Sequence, residues 1–269
     1  MLFYDQHCHT QLSFDSEASP WDYAALNLSV LTFTEHLDLD NPVTGGQDDI
    51  PNFNQTITWQ ETFVKDYNSR LLLGVEMGYA PGQADRLREV MAPYDFDLKL
   101  LSCHHNLRYD YMDTAADSNQ LDEPTVMMDQ YVAQLLEAVE AFPDVQILAH
   151  FDYGFRVHAL SDEDVIERYG QQLTEVFKRC IANEIAFELN SKSIINYGKL
   201  NLYRWAIPLY KSLGGHLFTL GSDAHKVEDY QMAFAQMKDL LLEFGIEEVV
   251  LYEAQQAHKV ALKELQFES

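Results

Sequence analysis

Short apolar runs rich in leucine and β-branched residues recur along the chain at Leu2–Gln6, Ser29–Thr34, Leu71–Val75, Leu98–Ser102, Gln146–Ala149, Ile185–Leu189 and Leu217–Leu220. Each has the length and polar flanks of a buried strand. Between them the apolar spacing becomes helical. The clearest cases are Val126–Phe142, with Met128, Val132, Leu135, Leu136 and Val139 on one face, and Val165–Cys180, with Val165, Tyr169, Leu173, Val176 and Phe177 on another. Strands alternating with helices predict an α/β chain whose parallel sheet can close on itself. Thr125 after Pro124 marks the start of the first helix, Ser161 with Asp164 predicts a capping box on the second, and Gly214-Gly215 stops a later helix before the strand at Leu217. Two polar, turn-rich segments, Asp38–Thr58 and Arg108–Glu123, are expected to be long loops over one end of the sheet.

Composition narrows this picture. The 269 residues, 47% hydrophobic, suffice for one large core, and residues 1–269 are expected to form a single domain. No run approaches the ~18 apolar residues of a membrane helix, and the start MLFYDQHCHT lacks the pattern of a signal peptide. A soluble, cytoplasmic protein is expected. Cys8, Cys103 and Cys180 form no CxxC, and an odd count argues against a disulfide framework. Cys8 and Cys103 alternate with histidines on extended segments, so they should face the helices if the histidines face inward. With 43 acidic against 18 basic residues and a formal charge of −25, nucleic acid would meet net repulsion.

The candidate chemistry lies where strands are expected to end. His7-Cys8-His9 puts two imidazoles on one face of an extended segment. Glu35-His36, Glu76, His104-His105, His150 and Asp223-x-His225 follow at successive predicted strand exits. Seven of the ten histidines therefore gather at the face where barrel enzymes assemble their sites. Imidazole and carboxylate without thiolate favour zinc, manganese or iron over a calcium-type oxygen cage.

The segments Asp5-Gln6-His7-Cys8-His9-Thr10, Thr34-Glu35-His36, Gly74-Val75-Glu76, Ser102-Cys103-His104, Ala149-His150 and Gly221-Ser222-Asp223-Ala224-His225 resemble, in order, the motifs of the PHP (polymerase and histidinol phosphatase) family. Length and the segment Glu188-Leu189-Asn190-Ser191 are most similar to its monofunctional histidinol-phosphate phosphatases. The resemblance implies a distorted (β/α)7 TIM-like barrel of PHP type and three divalent metal ions. It assigns His7, His9, Glu76 and Asp223 to one ion, Glu76 with His104 and His150 to a second, and Asp15, His36 and His225 to a third. Only one of the adjacent His104 and His105 can face inward from an extended strand. The family register selects His104, leaving His105 as an outer-layer, substrate or core residue. Arg156 matches a phosphate-contacting arginine of the family.

Three divalent ions against the carboxylates of Asp15, Glu76 and Asp223 leave a local charge of about +3, reduced to about +2 by a bridging hydroxide. Such a pocket attracts a phosphate dianion despite the acidic surface. Two ions roughly 3.5 to 4 Å apart can supply hydroxide at neutral pH and clamp phosphoryl oxygens. The expected activity is hydrolysis of a small phosphorylated metabolite, with L-histidinol phosphate first and another small ester, a nucleotide or a phosphotyrosine protein as alternatives. A metal-dependent amidohydrolase is a further alternative, but it often uses a carboxylated lysine, and no lysine stands at a predicted strand exit. A non-catalytic metal-binding module would be expected to have lost several of these ligands. One family feature is missing. The second arginine expected after Glu188-Leu189-Asn190 is absent, with Lys192 and Lys199 the nearby cations. Tyr109, Tyr111 and Tyr153 are candidates for lining a leaving-group pocket.

Overall fold

The computed structural model describes residues 3–114, 121–158 and 160–267. The strands are β1 (Val30–Asn41), β2 (Gln47–Asp49), β3 (Arg70–Gly78), β4 (Leu98–Ser102), β5 (Ile147–Leu148), β6 (Ala186–Asn190), β7 (Phe218–Gly221), β8 (Glu248–Glu253) and β9 (Gln256–Ala261). The first seven form one sheet in the order β2-β1-β3-β4-β5-β6-β7, and β8 and β9 form a separate antiparallel hairpin. All pairings in the large sheet are parallel except the short edge pair β1–β2. The helices are α1 (Pro20–Ala24), α2 (Phe53–Tyr67), α3 (Ala84–Met91), α4 (Pro124–Ala141), α5 (Asp162–Ala182), α6 (Ser191–Ile195), α7 (Leu200–Ser212) and α8 (Phe234–Glu243).

Residues 3–6 of the expected first strand join no ladder, and Leu2 lies outside the described residues. The Asp5 carboxylate explains this, because it accepts the backbone N–H groups of His7, Ser222 and Gln231 that a ladder would otherwise engage. The seam is bridged just beyond, at His7-Cys8-His9. The Cys8 carbonyl accepts from Thr34 N on β1 at 2.9 Å, His7 O accepts from Asp223 N at 2.8 Å, and His9 N donates to Ala224 O at 2.9 Å. Both edges of the parallel run are thus joined through one short segment.

The expected loop Asp38–Thr58 is largely regular structure. Leu37 and Leu39 continue the apolar alternation of β1, while His36 and Asp38 are buried polar residues on the opposite parity. Glu35 and His36 therefore lie within β1, and Glu76 within β3, rather than at strand ends. Of the segment Arg108–Glu123, the described parts hold no helix or strand, and residues 115–120 lie outside the described residues.

Helix signals behave as local chemistry dictates. Ser161 and Asp164 form the reciprocal capping box of α5, and Val165, Tyr169, Leu173, Val176 and Phe177 are buried. In α4, Pro124 occupies the first turn and no side chain of the described residues caps the helix start, while Leu136 is only half-buried. Gly214 has φ of 101° after α7 and ends the winding. The largest apolar cluster packs the outward sheet face against α3, α4, α5, α7 and α8. A second joins Cys8, Leu31 and Phe33 to Tyr23 of α1 and Trp59 and Phe63 of α2, so Cys8 faces the helices as its parity requires. A third, with Leu98, Leu100, Ile147, Ala186, Val250 and Tyr252, shares the strand face of Ser102 and underlies the site. Gln6 pins β8 there by donating to Val250 O and accepting from Tyr252 N. Among the described residues no helix is long and apolar enough to cross a membrane.

Candidate metal centre and phosphate pocket

Parallel register decides which side chains meet. His36 pairs with Glu76 and Asp38 with Gly78 across β1 and β3, so two polar residues of one strand point at the middle and end of the next. A Cβ at Gly78 would lie 1.8 Å from Asp38 Oδ1 and 3.1 Å from His104 Nδ1; only glycine leaves Asp38 room to reach His104. Gly221 serves Glu188 likewise, since a Cβ there would lie 2.2 Å from Glu188 Oε1.

Glu76 stands at the centre, and its two oxygens face different histidines. Oε2 lies 3.0 Å from His7 Nε2, 3.4 Å from His9 Nε2 and 3.1 Å from His36 Nδ1. Oε1 lies 3.1 Å from His104 Nε2 and 2.7 Å from His150 Nε2, and also accepts from the Ser102 hydroxyl. Burial alone would push the Glu76 carboxyl up, but His7, His36, His104 and His150 hold it well below its usual range. Asp223, in the left-handed region at φ 57°, places Oδ1 3.7 Å from His9 Nε2 and 4.0 Å from His7 Nε2. Asp15 Oδ2 approaches His225 Nε2 at 3.0 Å and His36 Nε2 at 3.5 Å.

All nine residues proposed from sequence as ligands, His7, His9, Asp15, His36, Glu76, His104, His150, Asp223 and His225, thus stand in one continuous cluster. The tight donor groups within it, such as His7-His9-Glu76 and His36-Glu76-His104, share members rather than dividing into three separate sets. The donors fit cations. His7 Nε2, His9 Nε2, His36 Nδ1 and Glu76 Oε2 are buried without a hydrogen-bond partner among the described residues. Burial and the neighbouring His36 and His225 keep His9 well below its normal pKa, which leaves the imidazole neutral with a lone pair to donate.

Three carboxylates of the surrounding layer have no role assigned from sequence, although Glu35 and Glu188 stand within the segments Thr34-Glu35-His36 and Glu188-Leu189-Asn190-Ser191. Glu188 Oε1 lies 2.7 Å from His7 Nδ1, and its Oε2 accepts from His150 N at 2.9 Å. Asp38 accepts from His104 Nδ1 at 3.0 Å; although burial opposes the His104 cation, Asp38 and Glu76 raise its pKa to about 10. Glu35 accepts from Thr10 N, Thr10 Oγ1 and Ser13 Oγ, and so ties the turn after His9 to β1. Strand alternation would have revealed Asp38 had the second strand been extended past Thr34, because Asp38 shares the parity of His36. His105 turns away from the pocket. Its Nδ1 accepts from Leu107 N, its Nε2 lies 3.6 Å from Asp38 Oδ1, and burial pulls its pKa down.

A cavity of about 180 Å³ opens on the cluster. Arg156 projects into it, with its guanidinium held by Ser193 Oγ at 2.8 Å and Asn190 Oδ1 at 3.1 Å, and stacked 5.1 Å from the rings of both Tyr153 and Tyr197. Lys192 also lines the cavity, its Nζ 3.3 Å from Asp223 Oδ1 and 2.9 Å from His225 Nδ1. It lies two residues beyond β6, so a lysine does stand at a strand exit, contrary to the sequence expectation. Lys199 is elsewhere, with its Nζ 3.5 Å from Asp162 at the head of α5. Of the three tyrosines considered, Tyr153 lines the cavity. Tyr109 and Tyr111 are buried against α4, bonded to Gln130 and Gln134.

The PHP domain family profile matches residues 5–192. A probable histidinol-phosphatase of Clostridium acetobutylicum is 28% identical over 87% of this chain and 90% of its own length. The histidinol-phosphatase of Lactococcus lactis is 23% identical over 95% of this chain and 96% of its own. The crystal structure of histidinol phosphate phosphatase from Lactococcus lactis, complexed with zinc, L-histidinol and phosphate, superposes with a TM-score of 0.80 at 23% identity, covering 94% of this chain and 98% of that one. A chain of an archaeal ribonuclease P structure with mature tRNA shares the fold more distantly, at TM-score 0.54 and 12% identity over 88% of this chain and 84% of that one.

Proposed function

Because the chain belongs to the PHP domain family, we propose that it is a metal-dependent phosphomonoesterase that hydrolyses L-histidinol phosphate to L-histidinol and phosphate, a step of histidine biosynthesis in the cytoplasm. The observation that carries this reading is the joining of a nine-residue imidazole–carboxylate cluster to a cavity holding Arg156 and Lys192. Full-length likeness to proteins named histidinol-phosphatase supplies the substrate. We read residues 1–269 as one domain, in keeping with a largest apolar cluster that draws on residues from Tyr4 to Leu265.

The cluster would hold three divalent ions, zinc, iron or manganese, as its nitrogen and oxygen donors suit. His7, His9, Glu76 and Asp223 would take one, Glu76 with His104 and His150 the second, and Asp15, His36 and His225 the third. The opposite facing of the two Glu76 oxygens supports a bridging role, and the approach of Asp15 to both His36 and His225 supports the third set. When bound, such ions supply a hydroxide nucleophile at neutral pH and stabilise charge on the phosphoryl oxygens. The chain's own residues prepare this. Glu188 and Asp38 accept the Nδ1–H of His7 and His104, which turns each Nε2 lone pair into the site. Arg156, immobilised between two tyrosines and held through Nε and Nη2 by Ser193 and Asn190, would present its Nη1 donors and positive charge to phosphate oxygens. Lys192 adds a second positive charge where the family's second arginine is missing, as a point charge rather than a fork. His105 stands beside Asp38, its Nε2 3.6 Å from Oδ1 and short of a hydrogen bond, and would act only by packing against that carboxylate.

The test is metal analysis of the purified protein together with phosphate release from L-histidinol phosphate, several nucleotides and an aryl phosphate. About three ions per chain and a strong preference for histidinol phosphate are expected. Activity confined to other esters would discard the named substrate, and absence of metal and turnover after reconstitution would overturn the reading. His9→Ala and Asp223→Ala should abolish turnover in a folded protein, whereas wild-type rates from either would sink the ligand assignment.

A further inference from the structure

The cavity contains an acid that neither the metal cluster nor phosphate binding requires. Asp110 lines it, is only 8% exposed, and forms no ion pair with a lysine or arginine among the described residues, the imidazole of His104 being the cationic group near enough to act on it. Its Oδ1 accepts from Met112 N at 2.7 Å and from Tyr153 Oη at 3.0 Å, while among the described residues Oδ2 has only the same hydroxyl, at 3.2 Å. Burial lifts the carboxyl to about 6. An uncompensated buried carboxylate is costly, and such groups ordinarily stand beside a cation.

The position of this acid is well determined. Asp110 bridges to His105 in the backbone, and Tyr111 N donates to His104 O at 2.8 Å, so the turn is anchored to the end of β4. Tyr153 relates it to the phosphate end. Arg156 stands over the face of the Tyr153 ring and Asp110 accepts from its hydroxyl, so the guanidinium and the carboxylate are set along one tyrosine side chain. A small ester with its phosphate on Arg156 and Lys192 would extend its alcohol portion along this wall.

We propose that Asp110 selects the leaving alcohol by pairing with a protonated amine it carries, so that the site takes phosphate monoesters of amino alcohols in preference to uncharged ones. This rests on the phosphomonoesterase reading and adds to it the residue that reads the leaving group. An ammonium there would find one oxygen with spare acceptor capacity. An uncharged alcohol would leave that carboxylate desolvated and unpaired, which is how a buried polar group rejects the analogue lacking its partner.

The experiment compares kcat/KM for an amino-alcohol phosphate, histidinol phosphate or ethanolamine phosphate, with kcat/KM for propyl phosphate, in the metal-loaded full chain and in Asp110→Asn, Asp110→Ser and Asp110→Glu. The ratio is internal to each protein, so a general loss of folded enzyme or of metal cancels from it. The wild type should prefer the amine-bearing ester, Asp110→Asn and Asp110→Ser should lower the ratio roughly tenfold or more, and Asp110→Glu should retain part of it. An unchanged ratio in Asp110→Asn, or equal losses on both esters, would overturn the inference and leave the phosphatase reading standing. Failure of the wild type on every ester would instead overturn that reading.

Discussion

Glu188 is outside the nine clustered donors, yet its replacement by glutamine should remove much of the bound metal or much of the rate. Three donors converge on its carboxylate, His7 Nδ1 at 2.7 Å, His150 N at 2.9 Å and Asn190 Nδ2 at 3.1 Å. A carboxylate accepts all three. Glutamine has one acceptor oxygen, and its amide must face either His7 or the pair formed by His150 N and Asn190. With the oxygen kept on the backbone side, the amide donates to His7 Nδ1, and the imidazole changes tautomer. Its Nε2 then carries a proton where a lone pair is needed, next to Glu76 Oε2 at 3.0 Å. Loss of such an outer partner typically lowers metal affinity or activity by about 10- to 100-fold, or ~1.4–2.7 kcal/mol. The assay is metal content by mass spectrometry after dialysis against a metal buffer, followed by kcat/KM for histidinol phosphate at saturating metal. Glu188→Gln with wild-type metal content and wild-type kcat/KM would refute the tautomer argument.

Lys192→Ala should reduce kcat/KM for phosphate esters by roughly 10- to 100-fold through the loss of a charged hydrogen bond, while Lys199→Ala should leave it unchanged; the reverse pattern in steady-state kinetics would give Lys199 the phosphate role. Gly78→Ala should destabilise the fold by ~1–3 kcal/mol and displace Asp38 from His104, read as a lower denaturation midpoint and weaker metal retention. Ser161→Ala should cost about 1 kcal/mol from the α5 cap with no change in kcat/KM, measured by urea denaturation and steady-state assay.

Local patterns carried much of this protein. Side-chain alternation put His7 and His9 on one face and Cys8 on the other, helical spacing identified the buried face of α5, and Ser161 with Asp164 fixed its start. These are legible because they depend on periodicity and on bonds between residues three or four apart. The residue types and their order also pointed to imidazole–carboxylate metal chemistry. Other features needed the assembled sheet. The strand carrying His36 runs on to Asn41 because its polar residues are buried against the site, a condition that polarity along the chain misreports as a loop. The registers of His36 on Glu76 and of Asp38 on Gly78 depend on pairing between segments some forty residues apart. Whether Lys192 or Lys199 enters the cavity is settled by α6, which begins immediately after β6 and leaves Lys199 to pair with Asp162. Sequence determined the chemical groups and the faces they occupy, whereas tertiary packing decided which groups meet, because distances between remote segments are fixed only when the sheet closes around its core.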